Sequence, residues 1–350
     1  MKIISLVGAR PQFIKLAPLS KLINNDHEEI VVHTGQHYDD AMSNKIFRDL
    51  NIKNPDYNLN VGSASHSVQT ANILHKLDKI LANEKPDLFI VFGDTNSTVA
   101  GALAAAKEHI PIVHIEAGLR SYNRSMPEEI NRVATDHISN YLYAPTVNAL
   151  DILEKEGLKD KSYLTGDIMV DTVNQNKEIA GKNSTIIEYL KIGHSEFYLT
   201  TLHRPYNVDN PFNLKHILNQ LNQLDKIVVF PCHPRTKKII KNNSISVNGN
   251  IKLIEPQGYL DFLNLEQNAY KIITDSGGIQ KEAYLLKKPC LTLRSETEWI
   301  ETVEEGWNLL IDVTSKSFAA QIVDFNPSAQ QGNVFGQNVA VGMVKLINEI

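Results

Sequence analysis

The sequence predicts an α/β fold with two domains, each built on a parallel sheet. Short runs that are apolar throughout alternate with longer amphipathic stretches, which is typical of parallel strands covered by helices on both faces. The length of 350 residues suits two domains, because domains usually contain about 100–200 residues. In both halves, polar residues follow directly after the apolar runs, where open α/β sheets bind their ligands.

In the first half, four apolar runs predict strands, and the stretches between them predict helices. The strands are predicted at residues 3–7, 30–34, 88–92 and 112–115. A turn at 8–11 precedes an amphipathic helix over 13–23, and an alanine-rich helix is predicted over 98–107. We expect these elements to form a first domain over residues 1–175.

The second half repeats the pattern. Its strands are predicted at 197–201, 226–230, 271–274 and 289–293. A polar stretch at 174–184 predicts a linker, so the second domain is expected over 186–330. The tail over 334–350 predicts a helix that joins the first domain.

The composition argues against partners that require a strong basic field. Lysine plus arginine number 35 and aspartate plus glutamate 40, for a formal net charge of -5, so no nucleic-acid or membrane partner is expected. No apolar run reaches the roughly 18 residues of a membrane-spanning helix. The two cysteines, Cys232 and Cys290, are too few for a disulfide framework, which predicts the reducing cytoplasm.

Metal and nicotinamide cofactors lack their sequence patterns. No HExxH, paired CxxC or EF-hand motif occurs, so we expect no metal. No GxGxxG opens the first helix, so no dinucleotide cofactor is expected.

A glycine turn in the second half is a candidate phosphate site. Ser276, Gly277 and Gly278 follow a predicted strand and open a helix. Glycines let a ligand approach the backbone closely, and a helix N-terminus favours phosphate. Glu282, in the second turn, is placed to accept hydrogen bonds from ribose hydroxyls. The alternative is an ordinary strand-to-helix turn with a solvated glutamate.

Two cations stand near the start of the first helix. Arg10 and Lys15 follow the first strand, at a helix N-terminus where the dipole favours acidic side chains. Basic residues in such a place often serve a bound anion. The alternative is that both are ordinary surface cations.

Three acidic residues form the candidate catalytic group. Asp94 and Glu116 each follow a predicted strand, and Glu128 lies in the first turn of a helix. Consecutive parallel strands usually lie close together, so Asp94 and Glu116 should meet at one sheet edge. Carboxylates in one site push their pKa values apart, so that one holds a proton while another accepts one. Arg132, four residues after Glu128, is placed to pair with it.

The alternative interpretation of this group is structural. Asp94 would cap the helix that follows it, and Glu128 would merely favour a helix start.

Histidines provide weaker signals. His203 and His233 each follow a predicted strand, beside Arg204 and Arg235, and are candidates to bind an anion. The further candidates are His33, His37, His114 and His137. The alternative for each is a structural hydrogen-bonding role.

Seven motifs occur in one order along the chain. They are GARP at 8–11, TGQH at 34–37, GDTNST at 93–98, HIEAGLR at 114–120, PEEINR at 127–132, TGD at 165–167 and DSGGIQ at 275–280. Together they resemble the non-hydrolysing UDP-N-acetylglucosamine 2-epimerases over residues 2–308.

This resemblance implies a fold, a reaction and a set of site residues. The fold is the glycosyltransferase-B type, with two Rossmann-like domains, a central cleft and often a homodimer. The reaction eliminates UDP across C1–C2 to give a glycal and adds it back with C2 inverted. The family's carboxylates match Asp94, Glu116 and Glu128, its supporting basic residues match Arg10, Lys15, Arg132 and His203, and its uridine-diphosphate contacts match Ser276, Gly277, Gly278 and Glu282. Arg204 and His233 are expected to bind the substrate as well.

Three further runs resemble one branch of the family. They are PCHPR at 231–235, RSETEW at 294–299 and GWN at 306–308, and the branch acts on UDP-2,3-diacetamido-2,3-dideoxyglucuronic acid. They favour this acidic sugar slightly over UDP-N-acetylglucosamine, as a precursor for surface polysaccharide. An acidic sugar calls for one more basic residue, for which the candidates are Arg120, Arg124, Arg204 and Arg235.

Other functions remain compatible with the sequence. A glycosyltransferase on the same fold would need an acceptor, and a hydrolysing epimerase would release free N-acetylmannosamine. A regulatory protein would bind the UDP-sugar without exchanging its C2 hydrogen, although binding alone does not call for three carboxylates beside the sugar.

Overall fold

The apolar runs form the strands of two parallel sheets, one in each half of the chain. The computed structural model describes residues 1–36, 47–193, 196–247, 249–327 and 330–350. The strands are β1 Lys2–Val7, β2 Glu28–His33, β3 Tyr57–Asn58, β4 Leu88–Phe92, β5 Ile112–Ile115, β6 Tyr141–Ala144, β7 Ser162–Leu164, β8 Phe197–Thr201, β9 Ile227–Pro231, β10 Ile251–Ile254, β11 Lys271–Thr274, β12 Cys290–Thr292 and β13 Asn308–Leu310.

Helices connect the strands throughout. They are α1 Arg10–Asp26, α2 His66–Glu84, α3 Asn96–Lys107, α4 Pro127–Ile138, α5 Val147–Lys155, α6 Met169–Asn183, α7 Ile186–Leu190, α8 Pro205–Val208, α9 Pro211–Leu221, α10 Pro234–Asn242, α11 Tyr259–Asn268, α12 Gly277–Leu285, α13 Ile300–Glu304, α14 Ala319–Asp324 and α15 Val339–Ile347. A short 3-10 helix spans Lys159–Lys161.

Each unit of the chain contains one sheet with a switch point. The first unit is Met1–Thr172 with Asn333–Ile350, and the second is Val173–Gly332. The strand orders are β3-β2-β1-β4-β5-β6-β7 and β10-β9-β8-β11-β12-β13. The order reverses between β1 and β4, and again between β8 and β11. Such a switch point opens a crevice at the carboxyl ends of the two strands, where α/β proteins bind ligands.

The strands are mostly apolar because both faces of each sheet are covered. In the second unit, Tyr198 and Val228 belong to one core, and Phe197 and Val229 belong to the core on the opposite face. Successive residues of a strand alternate between faces, so a strand covered on both sides has no solvent-facing position. In the first unit, Leu88–Phe92 is buried at every position.

The first helix begins earlier than predicted, at Arg10 rather than at residue 13. Pro11 occupies its first turn, where the missing N–H costs no hydrogen bond and the fixed φ suits a helix. The turn predicted at 8–11 is therefore shorter, and Arg10 stands at the start of the helix.

The polar stretch at 174–184, predicted as a linker, is helical instead. It belongs to α6, which runs through the boundary between the two units. Val173, Asn176 and Ala180 are buried at spacings of three and four residues, which place them on one helix face. Most of the polar residues lie on the exposed face of this helix.

The C-terminal helix α15 packs against α1 in the first unit. The N–H of Ala340 donates to the Asp171 carboxylate at 2.6 Å, and the N–H of Asp167 donates to the Phe335 carbonyl at 2.9 Å. The helix starts later than the predicted residue 334, because Asn338 has a φ of 51°, outside the helical range.

Both cysteines are buried and free. Burial raises the pKa of the Cys232 thiol to about 11 and that of Cys290 to about 12. The thiolate is the nucleophilic form, so neither side chain is a nucleophile at neutral pH. Over the described residues, no helix combines the length and apolar character needed to cross a bilayer.

Candidate active site

The candidate carboxylates follow neighbouring strands of the first sheet. β4 and β5 pair in parallel, with Phe92 opposite Ile115. Asp94 lies two residues beyond Phe92, and Glu116 directly follows Ile115. The sheet therefore brings both to its carboxyl edge, beside the switch point between β1 and β4.

Lys15 and Glu116 form a buried ion pair at this edge. Lys15 Nζ donates to Glu116 Oε2, and the two side chains are only 9% and 10% exposed. Lys15 lies in the second turn of α1, the helix that follows the first strand of the switch point. The alternative that Lys15 is an ordinary surface cation is therefore wrong.

Asp94 is ion-paired with Arg132 and does not cap a helix. An Arg132 N–H donates to Asp94 Oδ2. The cap of α3 is Thr95, whose side chain accepts from the N–H of Thr98. The alternative that Asp94 caps the following helix is therefore wrong.

Glu129, which the sequence reasoning passed over, organises the start of α4. Its carboxylate is buried and accepts from the N–H groups of Ser121 and Tyr122, each at 2.9 Å. It also accepts from Arg132 at 2.9 Å. The sequence spacing placed Glu128 beside Arg132, and Glu129 contributes to positioning the same guanidinium. Glu128 itself is half-buried in the first turn of α4.

Gln12 joins the turn after β1 to the end of β4. Its Oε1 accepts from the N–H groups of Gly8 at 2.8 Å and Ala9 at 3.0 Å, and its Nε2 donates to the Phe92 carbonyl at 2.8 Å. The sequence reasoning missed this residue, although a glutamine in the third position of a helix is a capping-box signal. Arg10, at the start of the same helix, is half-buried.

The backbone at Glu116 is strained. Its φ is 72°, in the left-handed region that costs a non-glycine residue about 1–3 kcal/mol and persists only where the surroundings impose it. The N–H groups of Glu116 and Ala117 donate to the Tyr143 carbonyl at 3.2 and 3.1 Å. The neighbouring strand β6 thus holds the turn that carries the carboxylate.

In the second unit, Asp275 connects the ends of β8 and β11, the two strands at the switch point. This residue directly follows β11, and its carboxylate accepts from the N–H groups of His203 and Arg204, each at 3.1 Å. His203 Nδ1 lies 2.9 Å from the same carboxylate. Burial acts to raise the pKa of Asp275, but hydrogen bonds from His203 and Asn207 outweigh it and lower the pKa.

The Asp275 carboxylate therefore determines which ring nitrogen of His203 carries the hydrogen that points toward it. An ionised carboxylate only accepts, so His203 Nδ1 carries hydrogen toward it. The imidazole is half-exposed, which leaves Nε2 as the atom that a ligand can reach. The sequence reasoning did not select Asp275, although its place directly after a strand was a usable signal.

We expect acid to remove the contribution that ionised Asp275 makes to the free energy of unfolding. Because its pKa is lowered by folding, its ionised form stabilises the protein above the unfolded-state value of 3.8, and this contribution is lost as the pH falls below that value. We expect Asp275→Asn to lower the free energy of unfolding by about 1–3 kcal/mol at pH 7, and by less at pH 3. Urea unfolding at pH 7, 5, 4 and 3 measures this. The exposed Asp160→Asn is the control, and an equal Asp275→Asn deficit at pH 7 and 3 would contradict the assignment.

The glycine turn opens α12 as the sequence predicted. Ser276 is the N-cap, and the helix begins at Gly277. A Cβ on Gly278 would meet only Ser276 Oγ, at 4.0 Å, so the backbone is open to a ligand. Glu282 is 5% exposed, so the alternative of a solvated glutamate is wrong.

The run at 294–299 packs around this helix. Arg294 donates twice to Glu298, both times at 3.0 Å. Lys281 Nζ lies 3.9 Å from the centre of the Trp299 ring. The run is thus held by its own ion pair and contacts α12 through Trp299.

Two of the four arginines considered for a sugar carboxylate form ion pairs. Arg120 is buried and pairs with Asp136 at 2.7 Å and Glu156 at 2.6 Å. Arg124 is exposed and lines an open cavity of ≈ 400 Å³ in the first unit. Arg235 pairs with an aspartate near the start of α9.

His233 is the N-cap of α10, where its Nδ1 accepts from the Arg235 N–H at 3.2 Å. Among the other histidines, His33 and His114 are buried, His137 is exposed, and His37 lies outside the described residues. In the part of the chain that the structure describes, no group of three His, Cys, Asp or Glu is arranged to hold a metal ion.

Comparisons with known proteins agree with one another. A family model described as UDP-N-acetylglucosamine 2-epimerase matches residues 21–345. The chain is 50% identical to a Methanococcus maripaludis protein named UDP-N-acetylglucosamine 2-epimerase homolog, over 100% of both chains. It is 43% identical to the UDP-2,3-diacetamido-2,3-dideoxy-D-glucuronate 2-epimerase of Pseudomonas aeruginosa, over 89% of this chain and 88% of that one.

A solved structure extends this similarity to the fold. It is the Methanocaldococcus jannaschii UDP-GlcNAc 2-epimerase in complex with UDP-GlcNAc and UDP. The TM-score is 0.92 at 43% identity, over 100% of this chain and 99% of that one.

Proposed function

Since the chain belongs to the UDP-N-acetylglucosamine 2-epimerase family, we propose that it inverts C2 of UDP-N-acetylglucosamine by eliminating and re-adding UDP. Its class as a UDP-sugar 2-epimerase, an isomerase of the glycosyltransferase-B fold type, comes with that membership. One observation carries the mechanism: two carboxylates follow adjacent strands at a switch point, and each is ion-paired with a basic side chain.

Elimination solves a chemical difficulty at C2. No carbonyl is attached to this carbon, so its proton is not acidic. A base takes the proton while the C1–O bond breaks, and UDP leaves with the electron pair, so that a glycal remains. In the return step, a diphosphate oxygen adds to C1 and a proton is delivered to the opposite face of C2. The site must supply a base, an acid and positive charge for the departing diphosphate.

The first unit supplies the proton-transfer groups in this proposal. Asp94, Glu116 and Glu128 are the candidate base and acid. Lys15 and Arg132 compensate the negative charge of two of these carboxylates, and they add positive charge where a diphosphate departs.

The second unit supplies the nucleotide site. Ser276, Gly277 and Gly278 bind a phosphate at the N-terminus of α12, and Glu282 accepts from the ribose hydroxyls. His203, oriented by its Asp275 contact, donates to the diphosphate through Nε2. The remaining proposed contacts are Arg10, Arg204 and His233.

Incubation of UDP-sugars in heavy water tests the reaction. We expect UDP-N-acetylglucosamine to gain deuterium at C2 and to give UDP-N-acetylmannosamine, both read by NMR. Release of free N-acetylmannosamine would indicate a hydrolysing enzyme. Binding without deuterium uptake would indicate a regulatory protein, and dependence on an acceptor would indicate a glycosyltransferase.

The acidic sugar UDP-2,3-diacetamido-2,3-dideoxyglucuronate is the second candidate substrate. The 43% identical Pseudomonas aeruginosa relative bears that name, and the run at 294–299 suggested the same branch. That run packs around α12, and Arg120 is paired within the first unit. We therefore place UDP-N-acetylglucosamine first.

Arginine variants separate the two substrates. We expect a higher kcat/KM for UDP-N-acetylglucosamine, and we expect Arg124→Gln, Arg204→Gln and Arg235→Gln each to affect both sugars equally. An arginine that binds a sugar carboxylate would contribute roughly 1.5–3 kcal/mol, about tenfold or more. A variant that loses this much on the acidic sugar alone, together with a wild-type preference for that sugar, would establish the second candidate.

The setting of the reaction is also a proposal. Two buried, free thiols, Cys232 and Cys290, suit the reducing cytoplasm, and the product suits surface polysaccharide synthesis. A homodimer is proposed from the family resemblance. Light scattering coupled to size exclusion tests it, with a monomeric mass as the contrary result.

A further inference from the structure

His114 is a buried histidine between the two turns that carry the candidate carboxylates. It lies on β5 and is fully buried. Its Nε2 lies 2.7 Å from the Gly93 carbonyl oxygen, and its Nδ1 lies 2.7 Å from Asp136 Oδ1. Both ring nitrogens therefore face oxygen atoms within hydrogen-bond distance.

The chemistry of these two partners determines the protonation of the ring. A carbonyl oxygen has only lone pairs, so Nε2 must carry a hydrogen. Asp136 Oδ2 accepts from Arg120 and from the Gly118 N–H, so donors other than His114 hold this carboxyl ionised. Its pKa is lowered although burial acts to raise it. An ionised Asp136 also only accepts, so Nδ1 carries a hydrogen too. The ring is then an imidazolium.

The surroundings balance this charge. Arg120 donates to Asp136 Oδ2 at 2.7 Å and to both carboxylate oxygens of Glu156, at 2.9 and 2.6 Å. The cluster of His114, Arg120, Asp136 and Glu156 thus contains two cations and two carboxylates. A buried charge is tolerated when it is paired and hydrogen-bonded in this way.

The same cluster contacts the backbone of both catalytic turns. Gly93, whose carbonyl accepts from His114, directly precedes Asp94. Asp136 Oδ2 also accepts from the N–H of Gly118 at 3.2 Å, two residues after Glu116. The φ values of Gly93 and Gly118 are 62° and 84°, outside the ranges of helices and strands. The conformation of each turn therefore depends on its contacts with the rest of the fold.

We propose that His114 is a positioning residue for epimerisation, acting as an imidazolium that ties the Asp94 turn to the Glu116 turn through Gly93 and Asp136. This proposal rests on the proposed function, because it assigns the two turns their catalytic task. It requires the bond from Nε2 to the Gly93 carbonyl for turnover, beyond any contribution that the cluster makes to stability.

Two substitutions separate these contributions. In His114→Gln, the amide nitrogen can occupy the place of Nε2 and keep the bond to Gly93. In His114→Asn, the amide nitrogen can occupy the place of Nδ1 and keep only the bond to Asp136. Both remove the positive charge, so we expect similar losses in urea stability. We expect kcat to fall at least tenfold more in His114→Asn than in His114→Gln, with KM for UDP-N-acetylglucosamine within threefold in both.

If kcat falls equally in the two variants and in proportion to their loss of urea stability, His114 has only a structural role and the proposal is overturned. Unchanged kcat in His114→Asn would overturn it as well. The wild-type protein also provides a measurement that needs no variant: NMR of ¹⁵N-histidine-labelled protein should show one ring that carries hydrogen on both nitrogens. Absence of such a ring would contradict the imidazolium. Lack of C2 deuterium uptake by wild type would instead refute the proposed function, which keeps the two failures distinct.

Discussion

Replacing Asp94 by Asn, Glu116 by Gln or Glu128 by Gln should lower turnover by about 10²–10⁴-fold, the usual contribution of a general acid or base. Each substitution preserves the shape of the side chain but removes its ability to exchange a proton. UDP binding should persist, because most of the proposed nucleotide contacts lie on the second unit. Steady-state kcat and calorimetric Kd for UDP measure the two effects separately.

An exposed carboxylate serves as the matched control for these variants. Glu108 ends the helix that follows Asp94 and lies in solvent, so Glu108→Gln should leave kcat unchanged. Near-normal turnover in all three variants would remove the proposed catalytic group. A loss of UDP binding equal to the loss of turnover would place the carboxylates in binding instead of chemistry.

Replacing Gly93 by Ala should lower kcat roughly 10–100-fold. A Cβ at this position would lie 3.1 Å from Glu116 Oε2 and 3.2 Å from Lys15 Nζ, which is tighter than most Cβ contacts, so the ion pair must shift by a few tenths of an ångström. A misplacement of about 1 Å costs on the order of 10²-fold in catalysis, and smaller shifts cost less. The φ of 62° adds backbone strain that lowers stability as well.

Two other glycines serve as controls that separate the close contact of an added Cβ from the backbone strain of a positive φ. Gly157 has a φ of 76° with nothing within 4 Å of an added Cβ, so Gly157→Ala should lose stability and keep kcat. Gly181 lies in α6 with the same open space and no positive φ, so Gly181→Ala should lose neither. The collision would be refuted by a Gly93→Ala enzyme whose kcat matches that of Gly157→Ala.

The strands were the most predictable part of this protein. The ranges predicted for β4, β5, β8 and β11 agree with the structure residue for residue. A strand that helices cover on both faces is buried along its length, so apolar residues dominate it and its ends are visible in the sequence. The positions of Asp94 and Glu116 directly after such runs were visible for the same reason.

The helix boundaries were less predictable, because polar residues are ambiguous outside strands. The stretch at 174–184 has the composition of a linker, yet it is the exposed face and end of α6. Only the burial of Val173, Asn176 and Ala180 on one side distinguishes the two, and that burial depends on what the rest of the chain packs against them.

The partners of the polar side chains were decided by the tertiary structure alone. Sequence spacing placed Glu128 beside Arg132 and left Arg120 open as a sugar ligand, but it could not show the ion pairs that these arginines form with Asp94 and Asp136. Spacing along the chain reports only neighbours within one helix or strand. The order β3-β2-β1-β4-β5 reverses at a switch point and brings together strand ends that are dozens of residues apart, so the contacts that build this site exist only once the sheet has formed.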